Sequence, residues 1–308
     1  MLRNTFCHIP GINEKTERNL WAAGITSWDS ALVISSPFES GPWNALDLQI
    51  GRKIPRAILK SWPRLMQESI GNYANRNLSY FVEKLPANQH WRLFRDFQDS
   101  CAFVDIETTG PSSRWDKITT IVLYDGRSVR YYVNGDNLDE FPRDVKDYPL
   151  LVTYNGKSFD IPFIERFFAI RLPQAHIDLR YPLRSLGLKG GLKGCERLLG
   201  IGRPGLEGVG GFVAIQLWNE FRNRKNVKAL ETLLAYNIQD TLSLHTLMVH
   251  AHNEKLKATP FAYSHSLPSP PLLESPFQAD HDTLERILRQ ISGIRAVRGA
   301  SPSVPSSG

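Results

Sequence analysis

The stretch FVDIETTG, residues 103–110, places two carboxylates inside a segment that otherwise has the composition of a buried strand. Because alternate residues of a strand share a face, Phe103, Asp105 and Glu107 are expected to point to one side, and Val104 and Ile106 to the other. Two like charges on one face repel, and burying either of them without a partner is costly. Either this face is exposed to water, or a divalent cation lies between the two carboxylates.

The composition is that of an ordinary globular protein. The chain has 308 residues, of which 42% are hydrophobic and 22% are charged, enough for one sizeable core and a smaller second region. No apolar run has the length of a membrane span, and the first ten residues lack the apolar region of a signal peptide. We therefore expect a cytoplasmic protein with no membrane partner. The net charge of +6 permits a polyanionic partner without requiring one.

The cysteines give no sign of a covalent or metal framework. The chain has three of them, Cys7, Cys101 and Cys195, which are widely separated and include no CxxC pair. This pattern favours neither a disulfide framework nor a zinc or iron–sulfur site. It agrees with a reducing compartment.

The order of the predicted elements indicates a mixed α/β sheet. CAFVDIE, KITTIVLY and SVRYYVNG predict three strands, the last two joined by a tight turn,. PLLVTYNG predicts a fourth strand that leads into a helix beginning near Asp160, and AHIDL predicts a fifth. Further helices are predicted at about 192–199, 212–223 and 227–256. Three antiparallel strands followed by alternating helices and strands form one sheet with helices on its faces.

The chain divides into three predicted regions. Residues 1–90 have helical patterns, residues 91–257 contain the sheet, and residues 258–308 are rich in proline and serine. The last region is expected to be a linker and a disordered tail with one helix at DTLERILRQI. At the first boundary, HWRLFRDF places Trp91, Phe94 and Phe97 on one apolar helical face, with Arg92 and Arg95 off it. This face either docks on the sheet or stacks nucleic-acid bases.

Two further acids lie at chemically unusual positions. Asp160, in YNGKSFDIPF, stands where a strand has ended and a helix begins, so it is either a helix N-cap or a site residue,. Asp240, in LETLLAYNIQDTLSLHTLM, falls within the apolar stripe of a helix, four residues after Tyr236. A tyrosine–aspartate hydrogen bond buried for packing is the alternative there. Four carboxylates from three segments that meet at one end of the sheet would hold two hard cations, an arrangement suited to in-line attack on a phosphodiester.

The same motifs resemble a known family. DIE at 105–107, NGKSFD at 155–160 and YNIQD at 236–240 are similar, in order, to the three exonuclease motifs of the DEDD superfamily. That superfamily has a ribonuclease-H-like fold and includes the DnaQ-like proofreading exonucleases, and a tyrosine four residues before the last acid marks its tyrosine subclass. YPLLVTYNGKSFDIPF and ALETLLAYNIQD resemble the YprB-type predicted exonucleases. The resemblance covers roughly residues 90–250.

The resemblance implies a role for each of five residues. Asp105 would bridge two Mg²⁺ or Mn²⁺ ions, Glu107 would bind one of them, Asp160 and Asp240 would complete the coordination shells, and Tyr236 would orient the attacking water. The implied activity is metal-dependent 3′-to-5′ hydrolysis of nucleic acid from a single-stranded or 3′ end, with DNA expected before RNA. A non-catalytic nucleic-acid-binding protein on the same fold and a structure-specific endonuclease stay open as alternatives.

Three further residues are candidates for substrate binding. Asn155 belongs to the second motif and either contacts the nucleic-acid backbone or closes the turn. Lys189 and Lys193 lie in the glycine-rich LGLKGGLKGCERLLGI, which either holds a phosphate at a helix N-terminus or only shapes the loop into the next helix. His176 and Asp178 are either an outer ligand shell or residues satisfied by ordinary hydrogen bonds.

The N-terminal segment HIPGINEKTERNLWAAGITSWDSAL resembles a helix-hairpin-helix, in which a Gly-hydrophobic-Gly turn presents backbone N–H groups to a phosphate. Here the second glycine is replaced by Asn13, which adopts the left-handed conformation less readily than glycine. The segment is therefore either a DNA-binding element or a purely structural hairpin.

Overall fold

One five-stranded mixed sheet organises the part of the chain that the computed structural model describes, residues 1–34, 56–112, 114–203, 205–206, 208–271 and 273–299. Its strands are β1 (Cys101–Thr108), β2 (Ile118–Tyr124), β3 (Val129–Val133), β4 (Leu150–Thr153) and β5 (Ala175–Asp178). Their order is β3-β2-β1-β4-β5, with β1, β2 and β3 antiparallel and β4 and β5 parallel to β1. The predicted fold class, a ribonuclease-H-like mixed sheet, is confirmed.

Helices cover both faces of this sheet. The α-helices are α1 (Glu14–Ala22), α2 (Trp28–Ile34), α3 (Arg56–Ala74), α4 (Leu78–Lys84), α5 (Leu93–Phe97), α6 (Phe141–Asp144), α7 (Asp160–Phe168), α8 (Arg180–Ser185), α9 (Gly191–Leu198), α10 (Gly211–Arg224), α11 (Val227–Leu256) and α12 (His281–Gly299). Short 3₁₀ helices span Leu2–Asn4, Ala87–Arg92, Gln98–Ser100, Leu138–Glu140 and Val145–Asp147. No helix in the described ranges is long and apolar enough to cross a membrane.

The side chains of β1 alternate between the two faces of the sheet as the sequence predicts. Phe103 packs in the core that includes α11 and the N-terminal helices. Val104 and Ile106 belong to a second core on the opposite face, together with Phe163 and Ile164 of α7. Because the strand period is two, Asp105 and Glu107 point to the same side as Phe103, toward α11.

Strand β1 continues beyond the end of its parallel neighbour. The β1–β4 pairing runs from Cys101↔Leu150 to Phe103↔Val152, and β4 ends at Thr153, whereas β1 extends to Thr108. Asp105 and Glu107 therefore lie past the carboxyl end of β4. This is the edge at which ligand sites form in sheets with parallel strands.

The helical segment before β1 docks on the sheet. Trp91, Phe94 and Phe97 are all buried, and the rings of Phe94 and Phe103 lie 6.1 Å apart. The docking interpretation is therefore confirmed, and stacking of nucleic-acid bases on this face is excluded because the rings are inside the protein.

Arg92 was predicted to lie off this apolar face, and the structure shows that it is nevertheless buried. Its side chain is 3% exposed, and its Nη2 lies 2.8 Å from Glu17 Oε2. Its Nε donates a hydrogen bond to Gln89 Oε1 at 2.7 Å. The other carboxylate oxygen of Glu17 accepts hydrogen bonds from the Thr5 hydroxyl and the Phe6 N–H. This buried ion pair fastens α1 to the segment that leads into β1.

The turn before α1 differs from the predicted hairpin geometry. Asn13 has φ −102°, an extended conformation rather than a left-handed one, and its side chain caps α1 by accepting from the Thr16 N–H at 2.9 Å. Gly11, in contrast, has φ +80°. DNA binding by this hairpin stays a prediction.

Part of the region expected as a linker and disordered tail, residues 258–308, packs against the rest of the protein. The ring of Phe261 lies edge-on to that of Trp21 at 5.4 Å. Leu284 and Ile287 of α12 are buried in a core shared with α10 and α11. These apolar contacts were not predicted, because the proline- and serine-rich composition of the region is typical of a linker. Residues 300–308 lie outside the described ranges.

The buried ion pair between Arg92 and Glu17 leads to a prediction about stability. Arg92→Met leaves the Glu17 carboxylate without its counterion, so we expect a loss of about 3–5 kcal/mol in the free energy of unfolding. The control Arg18→Met changes an exposed arginine of the same region and should alter stability by less than about 0.5 kcal/mol. Urea denaturation of both variants provides the measurement. Equal stability of Arg92→Met and the unmodified protein would contradict this role of the pair.

Candidate active site

Three carboxylates converge beyond the end of β4. Asp105 and Glu107 come from β1 and Asp240 from α11, and one oxygen of each lies within 4.8 Å of one oxygen of both others. Glu107 and Asp240 are buried, and Asp105 is partly buried. They meet because the alternation of β1 turns its two acids toward the helix that packs across it. These oxygens could hold a divalent cation.

Asp160 reaches the same edge of the sheet from α7. It is the first helical residue, whereas the N-cap position belongs to Phe159, which makes no side-chain cap. Asp160 is 4% exposed, and its Oδ1 accepts a hydrogen bond from the Ile106 N–H at 3.3 Å. That N–H lies beyond the last β1–β4 pair. Asp160 is therefore not the N-cap of α7 and lies against β1, although it is outside the group of three carboxylates.

The electrostatics of the site favour protonation when no cation is bound. Burial raises the pKa of Asp105 well above its usual range, and the charges of Asp160, Asp240 and Glu107 raise it further. Burial and the charge of Asp240 do the same for Glu107. Burial raises the pKa of Asp160 to about 7. It also raises the pKa of Asp240. Binding of a cation here therefore displaces protons.

Tyr236 and Asn237 support these acids from α11. Tyr236 is 3% exposed and lies one helical turn before Asp240 on α11. Burial raises the pKa of Tyr236 above its usual value, so the hydroxyl keeps its proton. Asn237 donates from Nδ2 to Asp105 Oδ2 at 2.7 Å and accepts from the Thr120 hydroxyl at 2.8 Å. Asn237 was not singled out from the sequence, although it lies within YNIQD at a position where a buried amide needs partners.

Two charged residues outside the motifs complete the cluster. The guanidinium of Arg203 forms an ion pair with Asp240 and a two-point pair with Glu196, with Nε–Oε2 and Nη2–Oε1 distances of 2.5 and 2.6 Å. Glu196 is 1% exposed. Both residues were missed because no local pattern connects the loop after α9 with an acid on α11.

The two predicted substrate-binding lysines occupy different positions. Lys193 donates a hydrogen bond to the Val209 carbonyl, and its Nζ lies 4.5 Å from the centre of the Tyr236 ring. Lys189 is exposed at the rim of the groove that contains Asp105 and Asp240. The structure thus brings Lys193 into the site and leaves Lys189 at its edge.

Asn155 shapes the same groove. Its φ is +64°, its N–H donates to Asp178 Oδ1 at 2.7 Å, and its side-chain oxygen accepts hydrogen bonds from Arg180 and from the Ser158 hydroxyl. Asn155 therefore closes the turn and positions Arg180, which lines the groove together with Arg184. The groove has acids at its floor and cations along its rim.

His176 and Asp178 are satisfied by ordinary hydrogen bonds. His176 Nε2 lies 2.8 Å from the Thr153 hydroxyl. Asp178 accepts from the backbone N–H groups of Asn155, Lys157 and Arg180. Its carboxylate therefore orders the turn after β4 rather than joining the cluster.

The residues present fit a hard divalent cation. Carboxylate oxygens are the ligands that Mg²⁺ and Mn²⁺ prefer. Among the described residues Asp240 has a cationic partner in Arg203, whereas neither Asp105 nor Glu107 forms an ion pair. Carboxylates that repel one another and have no counterion form a position that a cation would stabilise,.

One family model matches this part of the chain. Residues 102–252, just under half of the chain, match the model RNase_H_2, described as RNase_H superfamily. The segment contains all four acids and Tyr236, and it is a domain of ribonuclease-H-like type. No curated protein matches the sequence.

Two solved structures show distant similarity. The family B DNA polymerase of the hyperthermophilic archaeon Pyrobaculum calidifontis is 15% identical with a TM-score of 0.40, over 55% of this chain and 27% of the polymerase. The chain thus spans about a quarter of that protein's length. Brucella melitensis NrnC with bound Mg²⁺ is 14% identical with a TM-score of 0.35, over 68% of this chain and 92% of NrnC. At these values neither protein informs on the substrate of this chain.

The raised pKa values generate a prediction for the metal-free protein. A carboxyl whose pKa is higher in the folded state stabilises the fold at low pH, and this contribution is lost as the pH rises from about 4, the unfolded value, through about 7 for Asp160,. Asp160→Asn should therefore gain melting temperature relative to the unmodified protein between pH 5 and pH 8 in EDTA. The control Asp139→Asn, at an exposed position, should show no such gain. A difference between Asp160→Asn and the unmodified protein that does not change with pH would contradict the assignment.

Proposed function

We propose that the chain is a metal-dependent 3′-to-5′ exonuclease of the tyrosine DEDD type, similar to the YprB-type proteins. One observation carries the proposal: Asp105, Glu107 and Asp240 bring oxygens within 4.8 Å of one another, with the buried Tyr236 one helical turn before the last of them. Metal-dependent phosphodiester hydrolysis uses oxygen ligands for the metal ions and a group that positions water, and the carboxylates and the Tyr236 hydroxyl would supply them.

The four acids would hold two Mg²⁺ or Mn²⁺ ions. When bound, such ions lower the pKa of water and stabilise charge on the leaving oxygen. Asp105 would be a ligand on which the charges of all three other acids act, and Asn237 fixes its orientation. Tyr236 keeps its proton, so its hydroxyl acts as a hydrogen-bond donor that orients water or Asp240 rather than as a base.

The groove supports nucleic acid as the substrate class. Arg180, Arg184 and Lys189 are exposed along it, and basic side chains that follow a groove bind the phosphates of a single strand. A strand that enters along these cations would bring its 3′ end to the acids at the floor. We propose DNA before RNA as the substrate.

Digestion of labelled oligonucleotides tests the function. With Mg²⁺ or Mn²⁺, a 5′-labelled single strand of DNA or RNA should shorten stepwise from its 3′ end, while a circular single strand should stay intact. Cleavage of the circle would instead show an endonuclease. Binding of the oligonucleotide without cleavage under either metal would show a non-catalytic binding protein.

Tyr236→Phe separates water positioning from metal binding. The variant keeps the buried ring and loses only the hydroxyl, so we expect cleavage to slow by roughly ten- to a thousandfold with unchanged Mn²⁺ affinity by calorimetry. The control Tyr263→Phe alters a tyrosine that is 99% exposed and should cleave normally. Full activity in Tyr236→Phe would mean that this tyrosine only packs.

Asp160→Asn tests whether the acid of α7 belongs to the catalytic machinery. The variant keeps the side-chain oxygen that accepts from the Ile106 N–H, so at pH 5 the free energy of unfolding should change by less than ~1 kcal/mol. An amide is a much poorer ligand for Mg²⁺ or Mn²⁺ than a carboxylate, and we expect exonuclease activity to fall by orders of magnitude. Normal cleavage by this variant would show that Asp160 is not part of the catalytic site.

A further inference from the structure

The carboxylate cluster already contains a cation that belongs to the protein. The guanidinium of Arg203 is 11% exposed and lies between two buried acids, Asp240 and Glu196. Among the described residues, no other side-chain cation forms an ion pair with the four predicted ligands. Lys193 is near, but its Nζ donates to a backbone carbonyl.

The two contacts of Arg203 differ in quality. With Glu196 the guanidinium makes two parallel hydrogen bonds, the geometry in which arginine binds a carboxylate most strongly. With Asp240 it makes a one-point ion pair through Nη1. The contact with Asp240 is therefore the less extensive of the two, and another cation can replace it.

The position of Arg203 allows such a replacement. It lies in the loop between α9 and α10, where the nearby Gly200 and Gly205 have φ values of +70° and +73°. The Glu196 pair anchors the guanidinium from the opposite side, so Arg203 keeps a partner after leaving Asp240.

We propose that Arg203 is a built-in competitor of the divalent cation. It neutralises Asp240 in the metal-free protein, and binding of the cation leaves it paired with Glu196 alone. The proposal rests on the metal site of the proposed function. It makes the metal affinity of the site depend on a residue that is not a ligand.

Mn²⁺ affinity by titration calorimetry tests the competition without any substrate. Arg203→Gln removes a unit charge that contacts a ligand, so we expect Mn²⁺ to bind at least roughly tenfold more tightly than to the unmodified protein. Glu196→Gln should bind Mn²⁺ more weakly, because Arg203 then pairs with Asp240 alone. The control Arg197→Gln, at an exposed position in α9, should match the unmodified protein within about twofold.

A double variant keeps the test decisive if Arg203→Gln does not fold. Arg203→Gln/Glu196→Gln leaves no unpaired buried charge at Glu196, so it should fold and retain the tighter Mn²⁺ binding. Affinity equal to or weaker than that of the unmodified protein in the folded Arg203 variants, or unchanged affinity in Glu196→Gln, would overturn the proposal. Absence of Mn²⁺ binding by the unmodified protein would instead overturn the proposed function.

Discussion

The mutual repulsion of the buried carboxylates at the end of β1 is the constraint to which the surrounding structure responds. β1 extends past β4, so its two acids are paired with β2 on one side and have no strand beside them on the other, and the Ile106 N–H donates to Asp160. Asn237 donates to Asp105, and Arg203 neutralises Asp240. Each of these contacts compensates part of the charge. The pKa values of all four acids stay raised, which is the electrostatic condition that a cation would relieve.

The sequence predicted the features of the site that depend on local periodicity. The alternation of Phe103, Asp105 and Glu107 gave the correct face of β1, and the helical period placed Asp240 in the buried stripe of α11. The mixed sheet followed from the succession of three strands and then alternating helices and strands. These signals are readable because the side chains that generate them lie two to four residues apart.

The features that the sequence did not predict depend on contacts between distant residues. Arg92 lies off an apolar face locally, but its partner Glu17 is 75 residues away. Arg203 binds an acid on a different helix, and α12 packs on α10 and α11 from a region whose composition is typical of a linker. Composition and local periodicity carry no information on contacts between residues that are distant in the sequence, so only the tertiary structure shows these contacts.

Diffraction from crystals soaked in Mn²⁺, measured at a wavelength at which manganese scatters anomalously, tests the central claim most directly. The account predicts two anomalous peaks about 3.5–4 Å apart, bounded by Asp105, Glu107, Asp160 and Asp240, and a guanidinium of Arg203 that has left Asp240. Peaks only at other positions, or no peak within reach of Asp105 in a folded protein at saturating Mn²⁺, would contradict it.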